Sequence, residues 1–458
     1  MPASHTERLP AAVPGTALRV LATTDLAAEL VPRRVSWGEG GTCAGVVALL
    51  ERERERQPTV WVDAGDLTVG PVAALLGRRP WEDIAELPID AAAAGNHEFD
   101  DGVAALLEAA RGLPFPLLCA NLDVGLPGTA MVDTPAGGMG VIGLTHPHVD
   151  RLSEAPAPTG DWAEGVEPLA RDLRRRGARW VVAVLHDGVD WWPNLEPGGP
   201  PTLARAGRLA EVARPWAGAV DLVVGGHVPD GWAGELAGTP AGHAHVFADS
   251  VLVVDLPGDS GARAVVRGWF RVPAARPRRA TPATEALDAA AATVVGESRH
   301  TWVSRTGAER YLPDLIAVAL REAAGADAGM VLAAQHLTQG TLDGVTAMLW
   351  AGPVTELDLR WLFGVADDRP AVVELRPGEL AAAVARHQAI ADPAARDADR
   401  VWWNWSRMPA GISAGNGDPE TVAVVPWVVP RLAELLGREL VSEPASGGAR
   451  AALLRVLG

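Results

Sequence analysis

Gly95-Asn96-His97-Glu98-Phe99-Asp100 (GNHEFD) follows the apolar run 87–92 and sets an amide, an imidazole and two carboxylates within six residues. Polar groups placed directly after an apolar run mark the carboxyl end of a buried strand in an α/β sheet. The same arrangement recurs outward from this stretch. Residues 17–23 (ALRVLAT) run into Asp25, 59–62 into Asp63-Ala64-Gly65-Asp66, 180–185 into His186, and 221–224 into Gly225-Gly226-His227. Residues 116–120, 140–145 and 251–256 read as further strands. Residues 45–56 read as a helix whose Glu51-to-Arg56 charges form a solvated face with spaced ion pairs. The pattern predicts a layered α/β fold whose strand ends share one rim.

That rim collects metal-binding groups. A carboxylate from Asp66, an amide oxygen from Asn96 and imidazoles from His186 and His227 suit Mn, Fe, Zn or Co better than calcium. One divalent metal ion is the expected cofactor, with open positions for water. Asp63 reads as a turn or supporting residue.

Composition limits the partners. The chain has 458 residues, more than one core usually organises, so two domains are expected. A net charge of −17 argues against DNA or RNA polymers as partners and leaves a small-molecule substrate as the expectation. Every basic side chain other than His is Arg, and the wealth of Ala, Gly, Pro and Arg reflects a compositional bias rather than a function. Two cysteines, Cys43 and Cys119, make no disulfide framework. Residues 1–15 carry no apolar core of a signal peptide, and no apolar run reaches membrane-spanning length, so a soluble, cytoplasmic protein is expected.

The series Asp25-Leu26-Ala27, Gly65-Asp66, Gly95-Asn96-His97-Glu98, His186 and Gly226-His227-Val228-Pro229 resembles the motifs of the calcineurin-like metallophosphoesterases, in their two-domain 5′-nucleotidase branch. That family shows D-x-H, G-D, G-N-H-[ED], a lone His after a strand, and G-H-x-H. Glu39-Gly40-Gly41 and FPLLCANL at 115–122 support the match. The resemblance implies a metallophosphoesterase-like β-sandwich flanked by helices over residues 1–270, and metal-dependent hydrolysis of a phosphate ester. It implies a two-metal site bridged by Asp66. Asn96, His186 and His227 complete one set, and Asp25 belongs to the other. Ala27 and Pro229 stand where that other set has imidazoles, so a single-metal site is expected. It also implies that His97, paired with Asp100, protonates the leaving group or steadies the phosphate.

Residues 271–282 (RVPAARPRRATP) lack periodicity and read as a linker to a smaller α+β C-terminal domain over 283–458. Helices are expected at 285–292, 312–324, 379–390 and 429–436, and strands at 330–333, 371–375 and 421–425. This half is similar to the C-terminal domain of 5′-nucleotidases around 354–362 and 371–381. The family's phosphate- or ribose-holding Arg has no counterpart in Ala333-Ala334-Gln335-His336-Leu337. Its base-stacking turn is replaced at 365–370, and its terminal G-G-D-G turn is absent. A neutral Gln does not replace an Arg fork, which argues against ordinary 5′-nucleotides.

Trp191 and Trp192, soon after His186, and Trp403 in the second half are candidates to line a substrate pocket. Gly242-His243-Ala244-His245 spells a replacement for the missing ligands but falls later in the chain than the family's motif, and His146 and His148, which could approach the site after their strand, read first as a surface loop. Two other readings stay open. Asp66, His186 and His227 also form a two-His, one-carboxylate set suited to a mononuclear, non-hydrolytic iron enzyme. The missing ligands also suit a catalytically inactive pseudo-phosphatase scaffold.

Overall fold

The computed structural model describes residues 8–35, 38–146, 149, 153, 165–188, 216, 218–228, 231–259, 261–303, 309–331, 348–363, 368–391, 411–414 and 418–457. Expectations on Trp191, Trp192, Trp403, Pro229, His148 and the 333–337 stretch lie outside them. The chain divides into two compact units, the first running to Glu285 and the second beginning at Ala286.

The main elements of the first unit, in chain order, are β1 (Thr16–Thr23), α1 (Cys43–Arg54), β2 (Thr59–Asp63), β3 (Ala91–Ala93), α2 (Val103–Gly112), β4 (Leu117–Leu118), β5 (Thr129–Thr134), β6 (Gly137–Leu144), α3 (Val166–Arg175), β7 (Trp180–Leu185), β8 (Leu222–Val224), β9 (Trp232–Leu236), β10 (Thr239–His243), β11 (Ser250–Pro257) and β12 (Val265–Arg271). They form two six-stranded sheets, in the orders β12-β11-β1-β2-β3-β4 and β9-β10-β8-β7-β6-β5. The centres of both sheets are parallel. β1 pairs parallel with β2, and β6, β7, β8 and β10 run parallel in register.

Period-two alternation explains the layering. Leu18, Val20 and Ala22 of β1, Val60 and Val62 of β2, Val182 and Val184 of β7, and Leu222 and Val224 of β8 belong to one buried core between the sheets. The intervening Val181, Ala183 and Leu185 pack on the other side with Val166, Ala170 and Leu173 of α3. A strand covered on both faces must read as an unbroken apolar run, and β7 is buried at all its positions. Each such side chain contributes roughly 1.5–3 kcal/mol on burial, so Val182→Asp would break the sandwich at its centre. This is the mixed α/β sandwich expected from the sequence.

Helix α1 starts where Thr42 caps it, its Oγ1 accepting the Gly45 N–H at 3.1 Å. The same hydroxyl donates to the Ala275 carbonyl at 2.6 Å. Residues 271–282 are thereby tied to the first unit, again by the Thr281 hydroxyl donating to Asp83 at 2.5 Å. The boundary between the units falls after this stretch, within α4 (Pro282–Ala292).

The second unit is built from α5 (Leu312–Ala324), β13 (Ala328–Val331), β14 (Ala371–Glu374), α6 (Glu379–Ala391), β15 (Gly411–Ala414), β16 (Thr421–Val424), α7 (Val429–Leu436), β17 (Ser442–Pro444) and α8 (Ala449–Leu457), among shorter elements. Its sheet has the order β15-β13-β16-β14-β17. Leu315, Leu320, Met330, Val373, Val422 and Leu453 share its core. Among the described residues of the chain, no helix is long and apolar enough to cross a membrane.

Candidate metal centre

Six strands end on the chemistry. Thr24-Asp25 follows β1, Asp66 follows β2, Asn96 follows β3, Thr145-His146 follows β6, His186 follows β7, and His227 follows β8. Ligands delivered from the carboxyl ends of parallel strands need tight turns, and the backbone shows them. Asp25, Ala27, Ala28, Asp66 and His227 all have positive φ, between 47° and 66°. Each such non-glycine conformation costs on the order of 1–3 kcal/mol and persists only where surrounding bonds hold it.

Those bonds are present. The Glu98 carboxylate accepts the N–H groups of Gly95 at 2.6 Å, Asp66 at 2.8 Å and Leu67 at 2.9 Å. Asp63 accepts the Gly65 N–H at 2.8 Å and the Thr23 hydroxyl at 2.6 Å, the supporting role read from sequence. The His97 N–H donates to Asp66 Oδ1 at 2.9 Å, so this oxygen is occupied and Oδ2 faces inward. Gly95 is required by this closeness: a Cβ there would lie 2.2 Å from Asp66 Oδ1.

The centre converges on one nitrogen. His186 Nδ1 donates to the Ala64 carbonyl at 2.7 Å. Nε2 then has Asp66 Oδ2 at 3.1 Å, Asn96 Oδ1 at 3.1 Å and His227 Nδ1 at 3.2 Å. A single N–H on Nε2 satisfies one of these three neighbours. A divalent cation satisfies all of them, and a backbone carbonyl fixing the other ring nitrogen is the usual support of a metal-bound imidazole. Side-chain atoms of Asp66, His186 and His227 lie within 4.8 Å of one another, and all three residues are buried. The residues present therefore fit a divalent ion.

The electrostatics agree. Burial disfavours charge on His186, but Asp66, helped by Asp25 and Glu98, outweighs it and lifts the pKa to about 10. Burial also works to raise Asp66, yet His186 and His97 hold it well below the ordinary carboxylate range. Burial and the neighbouring His186 keep His227 well below the usual imidazole value. Without metal, the cluster thus retains a proton beside Asp66 and one neutral imidazole.

Asp25 lies beside the cluster and also braces the turn that carries His227. Its Oδ2 accepts the His227 N–H at 3.0 Å and the Thr24 hydroxyl. Burial, with Asp66 nearby, pushes its pKa up to about 7. Ala27, where the resemblance has an imidazole, presents only a buried methyl. His97 borders the centre and is 35% exposed at its side chain. Its Nδ1 donates to Asp100 Oδ2 at 2.7 Å, and Arg79 donates to the same oxygen at 2.8 Å. Burial opposes the charged form of His97, but Asp66 and Asp100 prevail and hold its pKa at about 9.

Two residues differ from the sequence reading or were absent from it. His146, read as a loop residue, is 6% exposed and its ring centroid lies 5.0 Å from that of His227. The Asn121 side chain clamps the preceding Thr145 backbone, which draws the chain inward. Glu98 was not singled out; an acid inside a loop of tightly turned N–H groups is the signal that could have found it. His243 and His245 stay outside the metal-capable group. The His245 ring meets Ser250 Oγ at 3.0 Å and stands edge-on to Trp269 at 4.4 Å.

Comparison with known proteins follows the same lines. Residues 18–231 match the calcineurin-like phosphoesterase family. The endonuclease YhcR of Bacillus subtilis is 25% identical over 248 residues, 48% of this chain and 19% of its own. The snake venom 5′-nucleotidase of Crotalus adamanteus is 28% identical over 233 residues, 46% of this chain and 36% of its own. The chain thus spans well under half the length of these relatives. Among solved structures, the 5′-nucleotidase precursor of Thermus thermophilus superposes with a TM-score of 0.71 at 18% identity, covering 96% of each chain. The sulfate thiohydrolase SoxB of the same species gives 0.70 at 14% identity, covering 98% of this chain and 95% of its own. Residues 18–231 are a calcineurin-like phosphoesterase domain, in a chain that shares the fold of two-domain 5′-nucleotidases.

Proposed function

We propose that the first unit is a metal-dependent hydrolase cleaving a phosphate ester of a small molecule through a single divalent ion. Asp66, Asn96, His186 and His227 would hold the ion, which supplies Lewis-acid polarisation of a phosphoryl oxygen and lowers the pKa of water. The carrying observation is the convergence of Asp66 Oδ2, Asn96 Oδ1 and His227 Nδ1 at 3.1–3.2 Å from His186 Nε2. A single ion is favoured because Ala27, where the other set has an imidazole, presents only a methyl.

His97 is the acid. With a pKa of about 9 it carries both ring protons at neutral pH. Nδ1–H is spent on Asp100, which fixes the ring, and Nε2–H remains to protonate the leaving oxygen as the P–O bond breaks. Asp25 holds the His227 turn. The relatives' names put nucleoside 5′-monophosphates in the first test set, and the missing Arg at 333–337, which argues against them as ordinary substrates, puts aryl phosphates beside them.

The test is turnover of p-nitrophenyl phosphate and of nucleoside monophosphates by metal-stripped protein reloaded with Mn, Fe, Co or Zn. Hydrolysis that appears only on reloading, and falls by roughly 100-fold or more in His97→Ala, is expected. Absence of turnover with every metal and both substrate classes overturns the reading.

A further inference from the structure

We infer that His146 is a positioning residue of the metal centre, setting the orientation of the His227 imidazole by packing against it. This rests on the metal reading above. The two rings are 5.0 Å apart between centroids, with planes inclined at 40°. The His186 ring meets His227 edge-on, at 4.9 Å and 70°. Two imidazoles therefore restrain a third, which sits on a turn with φ of 66°.

His146 can exert this restraint because its own backbone is fixed. The Thr145 N–H donates to Asn121 Oδ1 at 2.9 Å, and Asn121 Nδ2 donates to the Thr145 carbonyl at 3.0 Å. The His186 N–H donates to the Leu144 carbonyl at 2.9 Å, joining the end of β6 to the ligand that follows β7. The His146 carbonyl accepts the Val149 N–H at 3.2 Å. One wall thus carries His146 and His186 together.

The geometry separates positioning from ligation. An imidazole binds metal in the plane of its ring. A ring packed against His227 is placed to hold it, and His146 is not in the group of donors lying within 4.8 Å of one another. The backbone of His227 is already anchored by Asp25 and Thr24, at 3.0 and 3.3 Å. The torsion of the side chain is a separate matter, and the His146 ring limits it together with His186. Removing outer groups that orient a ligand typically weakens metal binding by about 10–100-fold.

The experiment uses the full chain with His146→Ala and His146→Phe, labelled with ¹⁵N-histidine. Ring-nitrogen spectra of His227 are read in the metal-free protein, and Zn and Mn dissociation constants by competition with a chelator. Ala is expected to shift or broaden the His227 signals and weaken both metals by about 10–100-fold. Phe, which keeps a ring but no nitrogen, is expected to restore both readouts to near wild type. Unchanged His227 signals in both variants overturn the inference. So does a Phe variant as impaired as Ala, which would assign His146 a nitrogen-dependent role. Wild-type protein that binds neither metal removes the reading of the centre, while the His227 spectra still decide the role of His146. If the Ala variant does not fold, His146→Asn, polar but ringless, takes its place.

Discussion

Glu98→Ala is the substitution whose cost is most directly worked from the structure. The carboxylate accepts three N–H groups, from Gly95, Asp66 and Leu67, at 2.6–2.9 Å, and Glu98 is 2% exposed. Each buried N–H left without an acceptor costs roughly 1–3 kcal/mol. Water entering the space vacated by the side chain would hold the total near the low end, about 3 kcal/mol. That is a large share of the ~5–15 kcal/mol that stabilises a typical domain. At about 2–4 °C per kcal/mol for a unit of this size, the melting temperature should fall by roughly 6–12 °C. The loop that sets Asp66 and Asn96 would loosen together, so metal affinity should fall with stability. Glu98→Gln keeps one carbonyl acceptor and should lose less on both counts. Thermal unfolding followed by Trp fluorescence, with Trp61 buried in β2 as a reporter, gives the first quantity, and chelator competition the second. A Glu98→Ala protein melting within about 2 °C of wild type with unchanged metal affinity would refute the loop argument.

Three further outcomes follow from named groups. The working form of His97 is protonated, so activity should fall as pH rises through its pKa, about 9 in the metal-free protein and lower once a cation sits nearby. Asp100→Asn removes a charge that raises this pKa, and should move the alkaline limb of the rate profile, and the His97 NMR titration, to lower pH; an unmoved limb would contradict the assignment. Glu29 and Asp249 share the single guanidinium of Arg33, at 3.3 and 2.7 Å, and burial raises their carboxyls to about 8 and about 6. Folded values above unfolded ones mean a contribution fully present below the unfolded pKa and lost as pH rises through the folded one. Urea stability should therefore decline between about pH 4 and 8, on the order of a few kcal/mol, and Glu29→Gln should flatten the decline. Gly95→Ala would drive a methyl to 2.2 Å from Asp66 Oδ1, and should weaken metal binding more than it weakens folding, as chelator competition beside urea unfolding would show.

Much of this was legible in the sequence because buried parallel strands are written as unbroken apolar runs. Trp180–Leu185 agrees with its apolar run end to end, and helices Leu312–Ala324 and Val429–Leu436 follow their periodicity. The convergence of Asp66, Asn96, His186 and His227 was legible from their places just past the ends of apolar runs, since each lies within three residues after a strand of the sandwich. Elements carrying little apolar signal were not legible. The hairpin of β9 and β10 is rich in Gly, with β9 partly exposed, and β5 and β12 lie at sheet edges with mostly half-buried residues. Glu98 was hidden by its neighbours: beside Asn96 and His97 it reads as part of a chemical motif, whereas it holds the backbone. His146 was hidden by Pro147, which marks a loop but says nothing of which way the loop turns. That direction depends on the clamp from Asn121, which lies 24 positions before Thr145 in the chain.

The central claim is that Asp66, Asn96, His186 and His227 enclose one cation. Elemental analysis of metal-loaded, desalted protein, wild type beside His186→Ala, addresses it most directly. One tightly held equivalent per chain in wild type and none in the variant is the predicted result. Two equivalents, none at all, or an equivalent retained without the His186 imidazole would contradict it.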